Sequence, residues 1–306
     1  MTEPSELFGV YGAPPRDVAE TAAGAIQYSP LTPGAARLED VADGGLAGLT
    51  VLAPPGTVER RYVIAQGLRA LAPGAMLAVA ALKDKGGSRL RKELEAFGCT
   101  VGEDSRRHHR ICLARRPQTV TGLDAAIADG APRLDEGLGL WTQPGVFSWD
   151  RIDPGSALLV KHLIKLGGDG ADLGAGLGFL SKAVLAVPKV KSLVLVDNDR
   201  RAVEAAGRNI DDPRARVLWA DVRQTGIEPG SLDFVVMNPP FHDGGAEDKQ
   251  LGQTFIRQAA GMLRRGGVLW LVANRHLPYE SVLGELFRTT PSRADTGGFK
   301  VFEARK

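Results

Sequence analysis

Through the second half of the chain, short apolar runs alternate with stretches of helical period, each divided from the next by glycine, proline or a polar turn. The runs fall at residues 171–174, 192–196, 217–220, 232–237, 268–273 and 299–304. Residues 156–166, 179–187, 200–209, 253–263 and 279–287 read as helices between and before them. The clearest is 253–263, with apolar residues at 255, 256, 259, 262 and 263 before Gly266-Gly267 ends the period. This order predicts an α/β fold: an open, doubly wound, seven-stranded Rossmann-like sheet with its ligands at the carboxyl ends of the strands.

The first half carries a shorter series. Residues 1–45 are rich in Gly, Pro and Ala and read as loop. Residues 49–53, 75–82 and 110–114 read as strands. Helices are expected at 57–71, with Thr57 as N-cap, and at 88–97, stopped by Gly98. That βαβα order implies a small parallel-sheet domain over 1–120. Gly- and Pro-punctuated residues 121–145 then read as a linker, and 146–306 as the second domain.

A chain of 306 residues has room for both domains, and 43% hydrophobic with 24% charged content is that of a globular protein. The Met-Thr-Glu-Pro-Ser-Glu start is neither basic nor apolar, and no run is long enough to cross a membrane. Cys99 and Cys112 have no metal-ligand spacing, so neither a disulfide framework nor a bound metal is expected, and the default compartment is a reducing cytoplasm. Net charge is only +2, yet residues 83–116 hold ten Lys/Arg against five Asp/Glu. The densest part is Arg106-Arg107-His108-His109-Arg110. It is either a solvated basic face or a set of phosphate contacts, carried by Arg106, Arg107 and Arg110, with a nucleic acid.

The loop after the first strand of the second series is Asp172-Leu-Gly174-Ala-Gly176-Leu-Gly178. Glycines let backbone approach a ligand that side chains would exclude. The third glycine follows the second too closely for a dinucleotide fingerprint. Asp172 would repel a pyrophosphate but attract an ammonium or sulfonium. Both details favour S-adenosylmethionine. Asp197, with Asn198 beside it, ends the next strand where an acid can hold ribose hydroxyls. Asp221, followed by Val222, is placed to accept from the adenine amino group. Each acid taken alone could equally be a helix N-cap.

Asn238-Pro239-Pro240-Phe241 follows the run 232–237. The Asn238 side-chain oxygen and the Pro239 carbonyl can accept both hydrogens of a planar exocyclic amine, and Pro240 stiffens the turn. Phe241 can stack on the ring that carries the amine. Such an amine is a poor nucleophile, and two acceptors raise its electron density while aiming its lone pair. The competing reading is turn chemistry after a strand. His242 and Asp243 come next, as positioning residues for the substrate.

At these residues the chain resembles a class I S-adenosylmethionine-dependent methyltransferase with an (Asn/Asp)-Pro-Pro-(Tyr/Phe) motif. More narrowly, it is similar to the bacterial guanine-N2 methyltransferases of small-subunit (16S) ribosomal RNA. Pro144-Gly-Val-Phe-Ser148, Asp153-Pro-Gly-Ser156 and the extended Asn238-Pro-Pro-Phe-His-Asp-Gly244 carry the likeness. Ala273-Asn-Arg-His-Leu-Pro-Tyr279 and Thr296-Gly-Gly-Phe-Lys-Val-Phe302 add to it. The resemblance implies methyl transfer to guanine N2 with S-adenosylhomocysteine as product, on ribosomal RNA or the small subunit, and the enzyme is expected to be a monomer. It also implies that Phe147 and the segment to Asp153 lie over the donor pocket, and that the first domain is a degenerate methyltransferase copy used to bind RNA. The Lys83-Asp-Lys-Gly-Gly-Ser88 loop lacks Asp-x-Gly-x-Gly, so that copy should not bind the donor. Two departures stand out: a short first domain, and Gly167-Gly-Asp-Gly170 where a longer apolar strand belongs. Alternatives are N5-methylation of a release-factor glutamine, adenine-N6 methylation, a non-catalytic RNA-binding module, and an NAD-dependent oxidoreductase.

Overall fold

The computed structural model describes residues 7–240, 242–243, 246–247 and 249–306, with side-chain burial described outside 241–249. It divides into two compact units, residues 1–131 and 132–306.

The first unit is built on a six-stranded sheet. Its strands are β1 (Phe8–Tyr11), β2 (Ile26–Gln27), β3 (Leu46–Leu52), β4 (Leu71–Leu82), β5 (Val101–Arg106) and β6 (His109–Arg115), in the order β2-β1-β3-β4-β6-β5. The first four in that order run parallel, while β6 is antiparallel to both β4 and β5. Helices α1 (Thr57–Ala70), α2 (Leu90–Ala96) and α3 (Leu123–Gly130) belong to this unit. Val51, Ile64, Leu68, Leu77, Leu94 and Phe97 are among the residues of its core.

Several expectations change here. Residues 1–45 contain β1 and β2, and the sheet is mixed rather than parallel. Gly9 is required in β1 because a Cβ there would lie 2.8 Å from both Leu49 and the Tyr28 ring. Thr57 is the first helical residue, not the cap; Gly56 holds the N-cap place without a side-chain bond. The expected linker 121–145 instead carries α3 and the hairpin β7 (Arg133–Asp135)–β8 (Leu140–Thr142). One of its glycines is a packing device: Gly130 lies so close to Tyr62 that a Cβ would come within 2.3 Å of that side chain.

The second unit holds α4 (Pro154–His162), β9 (Gly168–Leu173), α5 (Phe179–Leu185), β10 (Val190–Asp197), α6 (Arg200–Asn209), β11 (Ala215–Trp219) and β12 (Leu232–Met237). A short ladder β13 (His242–Asp243)–β14 (Ala246–Glu247) follows, then α7 (Lys249–Met262), β15 (Leu263–Asn274), α8 (Glu280–Leu286), β16 (Ser292–Thr296) and β17 (Phe299–Arg305). The seven-stranded sheet has the order β11-β10-β9-β12-β15-β17-β16, parallel except for β17. Alternate residues of β12 feed different cores: Val235 and Met237 join Ile256, Ala259 and Leu271, while Phe234 and Val236 join Leu159, Val184 and Trp270. Burial on both faces is why its strands read as unbroken apolar runs. The chain winds outward from β9 to β11 and then returns to β12. The switch point therefore lies between β9 and β12, where a doubly wound sheet opens its ligand crevice.

Strand order relates the units. Removing the edge strand β11 leaves β10-β9-β12-β15-β17-β16, which β2-β1-β3-β4-β6-β5 repeats, with the same antiparallel strand second from the end. The first unit is a topological copy of the second without one edge strand, and β3 occupies the place of β12.

Candidate active site

At the end of β9 the loop turns through Gly174, Gly176 and Gly178, all with positive φ (76°, 54° and 83°). A Cβ built on Gly176 would meet nothing within 4 Å, so that part of the loop faces open space. At the loop's root, Asp172 is wholly buried. Ser181 Oγ donates to its Oδ2 at 2.6 Å, and its Oδ1 is buried with no partner among the described residues. Burial, with the neighbouring Asp197 carboxylate adding, pushes Asp172 up to about 7 against the Ser181 hydrogen bond. A buried acceptor without a donor is costly unless a ligand satisfies it, and a cationic group would do so best.

Asp197, at the end of β10, accepts the Gly176 N–H at 2.8 Å and the Asp199 N–H at 2.9 Å. It therefore braces the glycine loop as well as marking the strand end. Burial raises it to about 6. Asn198 is exposed, and its carbonyl accepts from Trp219 Nε1 at 2.9 Å. Asp221 is half-buried and caps a short turn: its Oδ1 accepts the Arg223 N–H at 2.8 Å, and Arg223 also grips both oxygens. The Arg223 guanidinium holds its carboxyl below the ordinary carboxylate range. Val222 is buried in the core beside it. None of these four lines the cavity described next, and Asp221 is the N-cap of a short 3-10 turn.

Asn238 sits at the end of β12. Its Nδ2 donates to Asp153 Oδ2 at 2.8 Å and to Ser156 Oγ at 2.9 Å, which leaves the carbonyl oxygen as the amide's acceptor. Pro239 is buried and Pro240 half-buried. A Cβ on Gly174 would be 3.9 Å from the Asn238 carbonyl oxygen and from Pro240 Cδ, so the glycine loop and the Asn-Pro-Pro turn abut. Between them lies a cavity whose lining includes Gly174, Gly176, Asn238, Asp153, Ser156 and Phe147. Phe147 is 56% exposed at its mouth and the adjacent Ser148 has φ 53°. Phe241 and the side chains of His242 and Asp243 lie outside the described residues.

Arg106, Arg107 and Arg110 belong to the first unit and none lines this cavity. Each has an acidic partner: Arg106 pairs with Asp104 at 3.0 Å, Arg107 with Asp17, and Arg110 with Glu103 at 3.5 Å. Among the described residues no cluster of three or more His, Cys, Asp or Glu could hold a metal, and no helix is long and apolar enough to cross a membrane.

A family model, the methyltransferase small domain, matches residues 137–303. The ribosomal RNA small subunit methyltransferase C of Stutzerimonas stutzeri (strain A1501) is 32% identical over 323 aligned positions, covering 98% of this chain and 96% of that protein. The chain belongs to this methyltransferase family. A second member, from Pseudomonas aeruginosa (strain LESB58), is 34% identical over 285 positions, covering 90% of this chain and 84% of its own. Among solved structures, a T. thermophilus 16S rRNA N2 methyltransferase, in complex with AdoMet and guanosine, shares the fold with a TM-score of 0.78. It is 25% identical, with 100% of this chain and 90% of that one covered.

The hydrogen bonds bring in two residues to which the sequence motifs gave no individual role. Asp153 and Ser156 hold the Asn238 amide from 85 and 82 residues away. The only local signal was the N-cap pattern Asp-Pro-x-Ser, which predicts a helix start and not a partner. A third overlooked element lies in the first unit. After β3, in the place of Asn238-Pro239-Pro240, stands Ala53-Pro54-Pro55-Gly56. The prolines persist there, but the amide is gone.

Proposed function

We propose that the protein transfers a methyl group from S-adenosylmethionine to the exocyclic N2 of a guanine in 16S ribosomal RNA, yielding S-adenosylhomocysteine. The observation that carries this reading is the Asn238 amide, locked by Asp153 and Ser156 beside the glycine loop. When bound, the donor supplies an electrophilic methyl group on a sulfonium. Asp172 and the positive-φ glycines suit its cationic and sugar-bearing parts, because the buried Oδ1 lacks a partner and no side chain fills the space at Gly176. Asp197 holds the loop and retains lone pairs for ribose hydroxyls. Asp221, Val222 and Asn198 border the adenine end.

On the acceptor side, Asn238 Oδ1 and the Pro239 carbonyl take the two hydrogens of the amine, and Phe241 and Phe147 flank the base. Removing either acceptor loosens the aim of the lone pair, an effect on positioning. The amine needs no general base before attack, since its proton leaves after the new C–N bond has formed. His242 and Asp243 position the nucleotide. The first unit, through Arg106, Arg107 and Arg110, contacts RNA phosphates, and Ala53 in place of an asparagine fits a copy that performs no transfer. The partner is ribosomal RNA or the small subunit, in the cytoplasm, and the chain acts as a monomer.

The test compares nucleosides from ribosomal RNA of cells with and without the gene. Loss of N2-methylguanosine from 16S RNA, restored by the wild-type gene and not by Asn238→Ala, is the expected result. An unchanged RNA profile with loss of methylglutamine from a release factor would overturn it.

A further inference from the structure

We propose that Asp153 and Ser156 are positioning residues for methyl transfer: together they fix the plane of the Asn238 amide and polarise it toward the substrate amine. The inference rests on the reading of Asn238 as the amine acceptor. The carboxylate Oδ2 of Asp153 accepts two bonds, from the Ser156 N–H at 2.7 Å and from Asn238 Nδ2 at 2.8 Å. Ser156 Oγ accepts the second Nδ2 bond at 2.9 Å. Asp153 is the N-cap of α4 and Ser156 lies in its first turn, which has little freedom to move. A Cβ on Gly155 would lie 2.9 Å from the Phe299 ring and 3.1 Å from Asp153 Oδ2, so that turn is pressed against β17. Ser156 itself is 7% exposed.

The terminal torsion of asparagine is soft, and a flip exchanges an acceptor oxygen for a donor nitrogen. A flipped amide would oppose N–H to N–H at the substrate amine. The Asp153 carboxylate opposes the flip, because it can only accept and would then face a carbonyl oxygen, while the Ser156 hydroxyl pins the amide plane. The pair thus selects one orientation of Asn238. The carboxylate does more than the hydroxyl. Hydrogen bonds to a charged acceptor are the strong ones, and chains of bonds polarise one another. Negative charge on Asp153 raises electron density on Asn238 Oδ1. The amine nitrogen becomes positive as the C–N bond forms, so this interaction strengthens in the transition state and acts on kcat more than on KM.

The measurement is steady-state methylation of ribosomal RNA by the full-length protein, with donor affinity by calorimetry and melting temperature beside it. Ser156→Ala and Asp153→Asn should each lower kcat about tenfold. Donor Kd and RNA KM should change much less than kcat, since the pair acts through Asn238. Asn is as good an N-cap as Asp, so Asp153→Asn keeps the helix start and deletes only the charge. Ser156→Thr restores the hydroxyl and should recover most of kcat. Without substrate, the Asn238 side-chain NH2 protons should be slow to exchange in wild type and faster in Ser156→Ala. In an Asn238→Ala background neither substitution should lower the residual rate further. Unchanged kcat in both variants overturns the proposal, as does a loss that appears equally in donor Kd and melting temperature. If Asn238→Ala itself methylates RNA at the wild-type rate, the reading of Asn238 falls and the pair falls with it. If Asn238→Ala is inactive while both variants are normal, only the pair falls.

Discussion

Ser181 Oγ donates to Asp172 Oδ2 at 2.6 Å across the root of the glycine loop, while the other oxygen of that carboxylate is buried without a partner among the described residues. One half of the group is thus committed to the fold and the other half is reserved. The same burial that suits Asp172 to the proposed cationic donor leaves it poorly solvated. Its carboxyl is pushed up to about 7, chiefly by burial.

Donor binding should therefore release a proton near neutrality. A cation favours the ionised carboxylate, so affinity for S-adenosylmethionine rises with pH through about 7 and levels off above. At about pH 6 the calorimetric enthalpy should depend on the ionisation heat of the buffer, and at about pH 8.5 it should not. Asp172→Asn should weaken binding at least tenfold, the cost of about 1.4 kcal/mol, and abolish the dependence centred near 7. A buffer-independent enthalpy at the lower pH in wild type would count against the assignment.

The same residue should cost stability. The folded carboxyl keeps its proton to about 7 against a model value of 3.8, so between those values the folded state binds the more protons. Stability then falls as pH rises through that window and is flat above it. The full difference corresponds to on the order of 4 kcal/mol. An amide does not titrate, so Asp172→Asn, without ligand, should melt higher than wild type at about pH 8. Recovering half of that difference would raise Tm by roughly 4–8 °C. At about pH 4 the two should melt together, and a variant less stable than wild type at the higher pH would contradict the account.

Gly170 explains the unusual start of β9. A Cβ there would lie 2.1 Å from the Phe234 ring, and the two residues are direct partners in the β9–β12 pairing. Gly170→Ala should destabilise the second unit by about 1–3 kcal/mol, as overpacking does. Trimming the ring with Phe234→Leu makes room, so the double variant should be more stable than Gly170→Ala alone. Denaturant midpoints measure both, and strict additivity would show that the contact is not the cause.

Legibility followed burial. Strands covered on both faces, such as β12, announce themselves as apolar runs, and the glycine loop and Asn-Pro-Pro turn lie at their ends. Edge strands do not: β5 and β16 are largely exposed, so no apolar pattern marks Val101–Arg106 or Ser292–Thr296. β1 and β2 are short and depend on the close approach at Gly9, a tertiary fact. Local chemistry also hides competing roles. Asp221 is as good a cap as a ligand contact, and only the structure shows Arg223 holding it. The Asp153–Asn238 bond spans 85 residues and has no periodicity to betray it. The repeated strand order is likewise invisible, because the two units keep a topology and two prolines while their loop chemistry has diverged.

That divergence has a physical residue at its centre. Arg60 is wholly buried, donating to the Pro54 carbonyl at 3.2 Å, to the Pro55 carbonyl at 2.7 Å and to both Glu93 oxygens at 2.7 Å. In the first unit the carbonyls that follow β3 are therefore spent on an internal guanidinium, whereas after β12 the Pro239 carbonyl is the proposed amine acceptor. A Cβ on Gly86 would lie 2.2 Å from the same guanidinium, so the group also fills the space at that strand end. Arg60→Met keeps much of the volume but leaves Glu93 and two carbonyls without their donor, and should cost about 3–5 kcal/mol in the first unit. Replacing the acid as well removes the uncompensated charge. Arg60→Met with Glu93→Leu should therefore recover much of the loss, because an apolar pair of similar volume is often as stable as a buried ion pair. Denaturation of the full chain measures both variants, and donor affinity serves as the control, since the described residues lining the proposed donor cavity all belong to the second unit. If Arg60→Met unfolds no more easily than wild type, the guanidinium does not hold this strand end together, and the retention of two prolines in the first unit needs another cause.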